Sequence, residues 1–560
     1  MHSPSFCYKE IKIMNLKEKP FYLDDSAVEW VNKTLEKLTE DEKIGQLFFP
    51  IGFSNEKEYL NHLINLGIGG LFFRPGEAKE VQQAYEYMQR NSKVPLLTAA
   101  NLEDGGNGAS VEATAFGNQM AVAATNRTSD AYTLGKIAAT EGKSVGVNFG
   151  FSPVVDLDLN FRNPITNVRT YGSDVERVIK NAKEYIQAFH DNGSMTSIKH
   201  FPGDGVDERD QHLLTSINSL SVNNWRKTFG RVYQELIDFG SKAVMVGHIA
   251  FPAYSGDNMP ATLSPKLIND LLRTELGFNG LTITDATPMV GFCSAMKRSE
   301  AVPYTIQAGC DMLLFNRVLE EDIQYMKEGL AKGILTKERL NEAVTRILAT
   351  KASLGLHETI NHGSASFEDY KREQLDLADR SITLVKDTQN MLPLNLENHK
   401  RVLLQLLGSF DSNERVLGKV TEGLEKRGFK ITVYEPETSF FDLGTVESFS
   451  NDFDAVLYIA NIQNASNQTV ARIHWHTLFG LGNNMPWFTK EVPTALISFG
   501  NPYHLYDLPM VETVVNAYCN YDHFIEMAIK KLTGESSFKG VSPVNAFCDN
   551  SLLEGLKNED

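Results

Sequence analysis

Short apolar segments alternate with amphipathic helical patterns over the first two-thirds of the chain, and this alternation restricts the fold more than any other feature. After an opening helix at Ala27–Leu38, strand-like segments occur at Ile44–Ile51, Gly67–Phe73, Val94–Ala99, Val147–Val155, Met195–Ile198, Ala243–Val246, Leu281–Thr284 and Met312–Phe315. The helical patterns between them include Glu80–Arg90, Val175–Asp191, Trp225–Phe239 and Lys266–Leu276. About eight such units are what a (β/α)8 barrel requires. We therefore predict a TIM-like barrel over residues 21–357, after an N-terminal extension at residues 1–20.

The last third of the chain predicts a second domain. Residues 358–378 are polar without a clear apolar period, which is typical of a linker. Strand-like segments then return at Val402–Leu407, Ile431–Tyr434, Ala455–Ala460, Thr494–Phe499 and Val514–Tyr518. This pattern predicts a smaller α/β sandwich domain with a mostly parallel sheet at residues 379–560. Neither domain contains a glycine-rich phosphate-binding motif.

Composition excludes several classes of partner. The chain has 560 residues, of which 42% are hydrophobic and 22% are charged, as in ordinary globular proteins. A net charge of -17 disfavours nucleic acids and anionic membranes as partners. Five scattered cysteines lack C-x-x-C spacing, and the first 20 residues lack the apolar core of a secretory signal. We expect a cytoplasmic protein without a cofactor or a bound metal; the oligomeric state is left open.

Polar side chains follow several predicted barrel strands, where they would meet at one rim. They are Glu103 and Asp104 after the third strand, Arg162 and Arg169 after the fourth, Lys199 and His200 at the fifth, His248 at the sixth and Asp285 at the seventh. Taken singly, such a histidine is more often a hydrogen-bonded core residue, and such an aspartate often caps a helix. Together they predict an active site at the carboxyl ends of the strands. An open doubly wound sheet is the alternative fold, and it would not bring so many strand ends together.

The loop from Gly203 to His212 carries a further pair of functional side chains. Asp210 and His212 are two residues apart, so they share a face in an extended segment and the carboxylate can orient the imidazole. Gly203 and Gly205 flank Asp204 and predict a flexible connection. We expect the segment from Gly203 to Gln211 to act as a mobile lid. A rigid loop held by ion pairs of Arg209 is the alternative.

An ordered series of segments carries a family resemblance. The segments are Phe151–Asp156, Asn163-Pro164, Val168–Gly172, Lys199–Gly203, Asp210–His212, Val244–His248, Pro260–Ser264, Gly277–Gly280 leading to Thr284-Asp285, and in the second domain Thr383–Lys386 and Leu392–Leu394. This series resembles glycoside hydrolase family 3, and in particular its bacterial β-N-acetylglucosaminidase branch. The resemblance covers nearly the whole chain. It implies a role in cell wall recycling.

The resemblance also implies a retaining mechanism. Asp285 would be the nucleophile that forms a covalent glycosyl-enzyme, and His212, oriented by Asp210, would be the general acid/base. The substrate would be a small saccharide with a terminal β-linked N-acetylglucosamine. Substrate-binding residues implied by the resemblance are Lys199, His200, Arg169, Glu103, Asp104, His248 and Met289.

The chain departs from the family pattern at three places. Asp204 stands where the branch usually has histidine, and Ala286 stands where a second aspartate often follows the nucleophile. The third-strand motif is normally D-x-E-G-G, whereas this chain has Asn101-Leu102-Glu103-Asp104-Gly105-Gly106. Either Glu103 or Asp104 is therefore the carboxylate that holds the outer sugar hydroxyls.

Four alternative functions stay open at this point. A β-glucosidase of the same family would take its acid from a second-domain glutamate. A phosphorylase would use phosphate in place of water. A metal-dependent hydrolase is disfavoured because the loop lacks ligand spacing, and the H-x-H at His474 to His476 lies far from it in sequence. A non-catalytic sugar-binding relative would not need both Asp285 and His212.

Overall fold

The protein is described by a computed structural model that covers residues 15–358, 366–408, 411–434, 444–475 and 484–548. Most of the predicted N-terminal extension, at residues 1–14, and residues 359–365 of the predicted linker lie outside the described residues. Within the described parts, no helix is long and apolar enough to cross a membrane.

The first sheet is a parallel barrel built from eight strand positions. They are β1 (Phe48–Phe49 and Ile51–Gly52), β2 (Gly70–Phe73), β3 (Leu97–Ala100), β4 (Phe149–Gly150), β5 (Met195–Phe201), β6 (Ala243–Val246), β7 (Leu281–Ala286) and β8 (Met312–Leu314). The two halves of β1 are separated by Pro50 and pair with different neighbours. Phe48 is in register with Leu313 of β8, and Ile51 with Phe72 of β2. The sheet therefore closes on itself, which confirms the predicted barrel.

Helices follow most barrel strands and cover the outside of the sheet. Before and within the barrel they are Asp25–Lys37, Glu40–Gln46, Lys57–Asn65, Ala78–Asn91, Gln119–Ala124, Thr128–Ser144, Val175–Asp191, Val222–Lys227, Phe229–Phe239, Pro252–Ser255, the π-helical Lys266–Glu275, Val290–Cys293, Arg298–Ala308, Leu319–Ala331 and Lys337–Ser353. Short 3-10 turns lie at Gly106–Gly108, Asn167–Arg169 and Ala261–Leu263, and a two-stranded sheet joins Ser216–Ile217 to Ile249–Ala250.

The second sheet has six strands: β9 (Thr383–Asp387), β10 (Arg401–Leu407), β11 (Lys430–Tyr434), β12 (Ala455–Ala460), β13 (Thr494–Ser498) and β14 (Thr513–Asn516). Their order is β9-β14-β13-β12-β10-β11, and all pairs are parallel except β9 with β14. The helices Lys371–Ser381, Asn413–Glu425, Val446–Asp452 and Asp522–Leu532 and the turn His504–Tyr506 accompany it. A mostly parallel α/β domain is confirmed; the antiparallel edge strand β9 was not predicted.

Several predicted segments differ from the structure. Ile44 belongs to the helix Glu40–Gln46, and the barrel strand begins only at Phe48. Only Phe149–Gly150 of the long fourth segment is strand. The helix predicted at Trp225–Phe239 is two helices that meet at Thr228, whose backbone is not helical.

Residues assigned to the extension and the linker also pack on the body. Leu16 is buried in the main core cluster, so the described end of the extension belongs to the barrel domain. Residues 371–378 of the predicted linker form the first part of the helix Lys371–Ser381, which buries Leu377 and Ala378. A polar composition alone therefore does not identify a linker, because a few apolar side chains are enough to pack a helix against the domain.

Closely packed aromatic rings fill the interior of the barrel. Phe49 of β1 lies 5.4 Å from Phe151 between ring centroids, and Phe151 lies 5.0 Å from Phe149 and 6.0 Å from Phe72. All four side chains are buried. Because phenylalanine rings from β1, β2 and β4 meet here, the barrel is a packed core and its chemistry is confined to the rim.

A buried ionic cluster holds the helices against the start of β8. Asp311 accepts hydrogen bonds from Arg273 at 2.8 Å, Arg339 at 2.7 Å and the main-chain N–H of Thr282 at 2.9 Å, and Arg346 lies 3.6 Å away. Burial alone would raise the pKa of Asp311, but the three guanidinium groups outweigh it and lower the pKa to about 2. Asp311 is the common counter-ion of three arginines.

We expect Asp311→Asn to lower the free energy of unfolding by about 3–5 kcal/mol, because it leaves buried guanidinium groups without a counter-ion. Thermal and urea unfolding measure the loss. The matched control is Asp41→Asn, since Asp41 forms an exposed ion pair with Lys327 at 2.9 Å; it should change stability by less than ~1 kcal/mol. Equal effects of the two changes would contradict the assignment.

Candidate active site

The carboxyl ends of the barrel strands bring the predicted site residues to one rim. Lys199 and His200 lie near the end of β5, and Asp285 lies near the end of β7. Glu103 follows β3, and His248 follows β6. Parallel strands that close into a barrel place these side chains around a common centre.

Asp285 lies in a partly buried, positively biased environment. Its Oδ1 accepts the main-chain N–H of Ala286 at 2.7 Å, while Oδ2 lies 3.8 Å from Nε2 of His200. Burial raises its pKa, but His200, His248 and His212 together with the Ala286 N–H outweigh burial and lower the pKa below the ordinary value. The carboxylate is therefore held in its ionised form, as a nucleophile requires.

Asp156 orients His200. Its Oδ2 lies 2.7 Å from Nδ1 of His200, and its Oδ1 accepts the main-chain N–H groups of His200 at 3.1 Å and Asp204 at 2.8 Å. Because Nδ1 is bound to Asp156, Nε2 is the nitrogen that faces Asp285. Asp156 is a functional residue that we did not select from the sequence, although it ends the Phe151–Asp156 segment.

The predicted dyad is formed. Nδ1 of His212 lies 2.6 Å from Oδ1 of Asp210, which also accepts the His212 main-chain N–H at 2.9 Å. Asp210 is buried, whereas the His212 side chain keeps 21% of its surface exposed. His212 is thus anchored at one ring nitrogen and open at the other, which is the arrangement a proton-transfer group needs.

The loop that carries the dyad is hydrogen-bonded to its surroundings. Asp204 accepts from Asn163 at 3.1 Å, the Asp207 carbonyl accepts from Asn163 at 2.8 Å, and the Val206 carbonyl accepts from Asn160 at 3.0 Å. Arg209 pairs with Asp207, as in the rigid alternative, but its side chain is exposed. Closure as a lid stays a prediction.

Glu103 and Asp104 have different partners in the structure. Glu103 accepts two hydrogen bonds from Arg169 at 2.8 Å and lies 2.6 Å from Nζ of Lys199. Burial alone would raise the pKa of Glu103, but the two cations outweigh it and hold the pKa well below its usual range. Asp104 instead accepts from the Tyr521 hydroxyl at 2.7 Å, and burial raises its pKa to about 6. Glu103 therefore belongs with Lys199 and Arg169.

His248, Met289 and Arg162 have other surroundings. The buried His248 ring engages Thr262 Oγ1 and the Ala286 carbonyl, both at 3.0 Å, so it supports the end of β7. Met289 is buried just before Val290, whose N–H donates to the His212 carbonyl at 3.0 Å. Arg162 is exposed, with its guanidinium over the Phe161 ring. Sugar contacts by His248 and Met289 stay predictions.

The second domain reaches the site. A cavity of about 350 Å³ is lined by Glu103, Asp104 and Arg169 from the barrel and by Gln463–Ser466 from the second domain. The next residue, Asn467, donates its main-chain N–H to Oδ2 of Asp210 at 2.9 Å. These second-domain residues were missed, because their approach depends on how the domains dock and leaves no local mark in the sequence.

A metal centre finds no support in the described parts of the chain, which hold no group of three His, Cys, Asp or Glu side chains arranged for a metal ion. The H-x-H spacing ends at His476, which lies outside the described residues.

Comparison with known proteins identifies the family. Residues 39–350 match the family profile described as "Glycosyl hydrolase family 3 N terminal domain". The chain belongs to glycoside hydrolase family 3. A family 3 enzyme acts on saccharides, and the rim that carries Asp285 is its candidate substrate site.

Relatives of this family 3 chain have more than one activity in their names. A "Beta-N-acetylglucosaminidase/beta-glucosidase" from Cellulomonas fimi is 44% identical over 96% of this chain and 99% of its own length. The solved structure of "Beta-glucoside phosphorylase BglX bound to 2FGlc" has a TM-score of 0.90 and 41% identity, covering 95% of this chain and 99% of that chain. A family 3 β-N-acetylglucosaminidase from Paenibacillus has a TM-score of 0.76 at 23% identity, over 91% of this chain and 99% of that chain, and supports the two-domain fold.

We expect Glu103→Gln to lower kcat/KM by at least ~100-fold, a loss of about 2.7 kcal/mol in transition-state stabilisation. The change leaves Lys199 and Arg169 without their shared counter-ion, so both donors shift. Asp104→Asn should cost much less, because the amide still accepts from Tyr521. Steady-state kinetics on an aryl β-glycoside distinguish the two carboxylates, and a larger loss in Asp104→Asn would reverse the assignment.

Proposed function

We propose that the protein is a retaining, exo-acting glycosidase that removes terminal β-linked N-acetylglucosamine through a covalent glycosyl-Asp285 intermediate. The observation that carries the proposal is the presence of an ionised, partly buried Asp285 and the Asp210–His212 dyad at the same rim. The charge of His212 contributes to the lowered pKa of Asp285, which is consistent with two groups that act on one substrate.

In the first step Asp285 attacks the anomeric carbon, and the bond from that carbon to the leaving oxygen breaks. Nε2 of His212 gives its proton to this oxygen. Oδ2 of Asp285, which lies 3.8 Å from Nε2 of His200, is the attacking atom, since Oδ1 is occupied by the Ala286 N–H. Lys199, Arg169 and His200 supply donors for sugar hydroxyls at the base of the pocket.

In the second step the glycosyl–Asp285 bond is broken by an acceptor. If water is the acceptor, His212 takes its proton and the carboxylate of Asp285 is released. Two inversions at the anomeric carbon give net retention. The histidine acid/base departs from the usual pair of carboxylic acids and is the reason for favouring N-acetylglucosaminides; the Cellulomonas relative supports β-glucosides as a second substrate class.

Phosphorolysis is the second candidate. The observation that favours it is the 41% identity to a β-glucoside phosphorylase over nearly the full length of both chains. A histidine acid/base also repels an incoming anion less than a carboxylate would. A phosphate oxygen would form the bond to the anomeric carbon as the Asp285 ester breaks, giving a glycosyl 1-phosphate.

A cytoplasmic location and a role in cell wall recycling belong to the same proposal. Cys293, Cys310 and Cys519 are free thiols, in agreement with a reducing compartment. Fractionation of the native host tests the location.

We expect Asp285→Ala to abolish turnover with the fold intact, because no carboxylate remains to form the glycosyl-enzyme. Azide should partly restore cleavage of an activated aryl glycoside and give the product of inverted configuration. Product analysis by NMR and circular dichroism of the variant check both statements. Near-normal activity without azide would remove Asp285 from the nucleophile role.

The acceptor is tested by assaying nitrophenyl N-acetyl-β-glucosaminide and the matching β-glucoside with and without inorganic phosphate. A hydrolase should release free sugar at a rate that phosphate leaves unchanged. A phosphorylase should accelerate with phosphate and release the sugar 1-phosphate. Sulfate at equal ionic strength is the control for salt effects. The ratio of rates on the two sugars decides between the N-acetylglucosaminide and the glucoside specificity.

A further inference from the structure

The two oxygens of the Asp210 carboxylate are held from different domains. Oδ1 binds His212 within the barrel loop, at Nδ1 and at the main-chain N–H. Oδ2 accepts the main-chain N–H of Asn467, which belongs to the second domain and lies 257 positions further along the chain. With both oxygens bound, the carboxylate plane is fixed, and so is the direction in which it holds the imidazole.

Asn467 presents this N–H from an unusual backbone conformation. Its φ is 68°, in the left-handed region that Asn and Gly tolerate better than other residues. Its side chain is exposed. Asparagine at this position therefore suits the turn that aims the N–H at Asp210, and the contact itself is made by the backbone.

The segment Gln463–Asn467, here called the dyad clasp, is anchored at both domains. Gln463 donates to the Phe499 carbonyl at 2.8 Å, which ties the start of the clasp to the end of β13. Asn464 donates to the Pro164 carbonyl at 2.8 Å, on the barrel loop that leads to Arg169. The clasp directly follows the end of β12, so the second sheet sets its position.

Contacts between the domains fix the clasp over the rim. The Tyr503 hydroxyl donates to Oδ2 of Asp158 at 2.6 Å, and the Tyr521 hydroxyl donates to Asp104 at 2.7 Å. Both acceptors follow barrel strands that border the site. These two hydrogen bonds therefore hold the second domain against the rim, in addition to the contacts of the clasp.

We infer that the dyad clasp is a positioning element for proton transfer: the Asn467 N–H holds Asp210, and Asp210 aims His212. The inference rests on the role proposed for His212. In this arrangement proton transfer depends on the docking of the second domain, and the contact that links them is made by the backbone of Asn467. Loss of the clasp should affect protonation of the leaving group and spare the nucleophilic attack by Asp285.

The test uses aryl β-glycosides of the sugar the enzyme prefers, with leaving groups from phenol to 2,4-dinitrophenol. His212→Ala is the reference and should slow the phenyl glycoside by roughly 10²–10⁴-fold, with a much smaller loss for the dinitrophenyl glycoside, which needs no protonation. Asn467→Pro removes the N–H and, because the proline ring holds φ at about −65°, also the left-handed turn that aims it. This variant should slow the phenyl glycoside by roughly 10-fold or more, with the same dependence on the leaving group.

Asn467→Gly is the matched variant, because it keeps both the N–H and the left-handed backbone; it should restore most of the activity that proline removes. Asn464→Ala, which removes only the anchor to Pro164, should give a smaller loss of the same kind. If circular dichroism shows that the Asn467→Pro variant does not fold, the leaving-group dependence of Asn464→Ala tests the inference instead.

The outcomes separate the inference from the function on which it rests. A loss in the clasp variants that is equal for all leaving groups, or no loss at all, overturns the inference while His212→Ala still supports the proposed mechanism. If His212→Ala itself shows no leaving-group dependence, the acid/base assignment fails and the clasp loses its role with it.

Discussion

Closure of the parallel sheet is the constraint on which the rest of the molecule depends. A single segment, Phe48 to Gly52, is hydrogen-bonded to β8 on one side and to β2 on the other, with Pro50 at the point of exchange. Proline lacks an N–H, so it fits where ladder pairing passes from one neighbour to the next. Once the ring is closed, every strand ends at the same rim, and residues as distant in sequence as Glu103 and Asp285 lie at that rim.

The strand ends bring several charged side chains together at the rim, and these charges are stabilised by pairing with opposite charges. Lys199 and Arg169 are brought together at the rim, and one carboxylate, Glu103, serves both. His200 likewise lies between two carboxylates, with Nδ1 facing Asp156 and Nε2 facing Asp285. A buried charge is tolerated only with a counter-charge and hydrogen bonds. Asp104 forms no ion pair among the described residues; its pKa is raised, and it is bound by a tyrosine hydroxyl instead.

The sequence was sufficient for the parts of this arrangement that local patterns control. Strand ends on the rim follow from apolar alternation, and the Asp210–His212 contact follows from a spacing of two. Ile44 was misassigned because a short apolar run fits a strand as well as a buried helix. The capping box of Thr39 and Glu42 marks that helix, and it was legible in the sequence. The approach of Asn464 and Asn467 was not predictable, since it is set by the docking of two domains.

This division has a consequence for how the family 3 scaffold varies its chemistry. The proposed nucleophile, Asp285, is part of a barrel strand, and the groups that lower its pKa belong to the barrel. The proposed acid/base, His212, lies on a loop, and the Asp210 carboxylate that orients it is also bound by the other domain. Changes in the second domain can therefore alter proton transfer and access for the acceptor without disturbing Asp285. Relatives of this chain that are named as glycosidases and as a phosphorylase differ in that acceptor step. The interface that holds Asp210 lies next to the cavity lined by Gln463–Ser466, so the second domain borders both the proposed acid/base and this cavity.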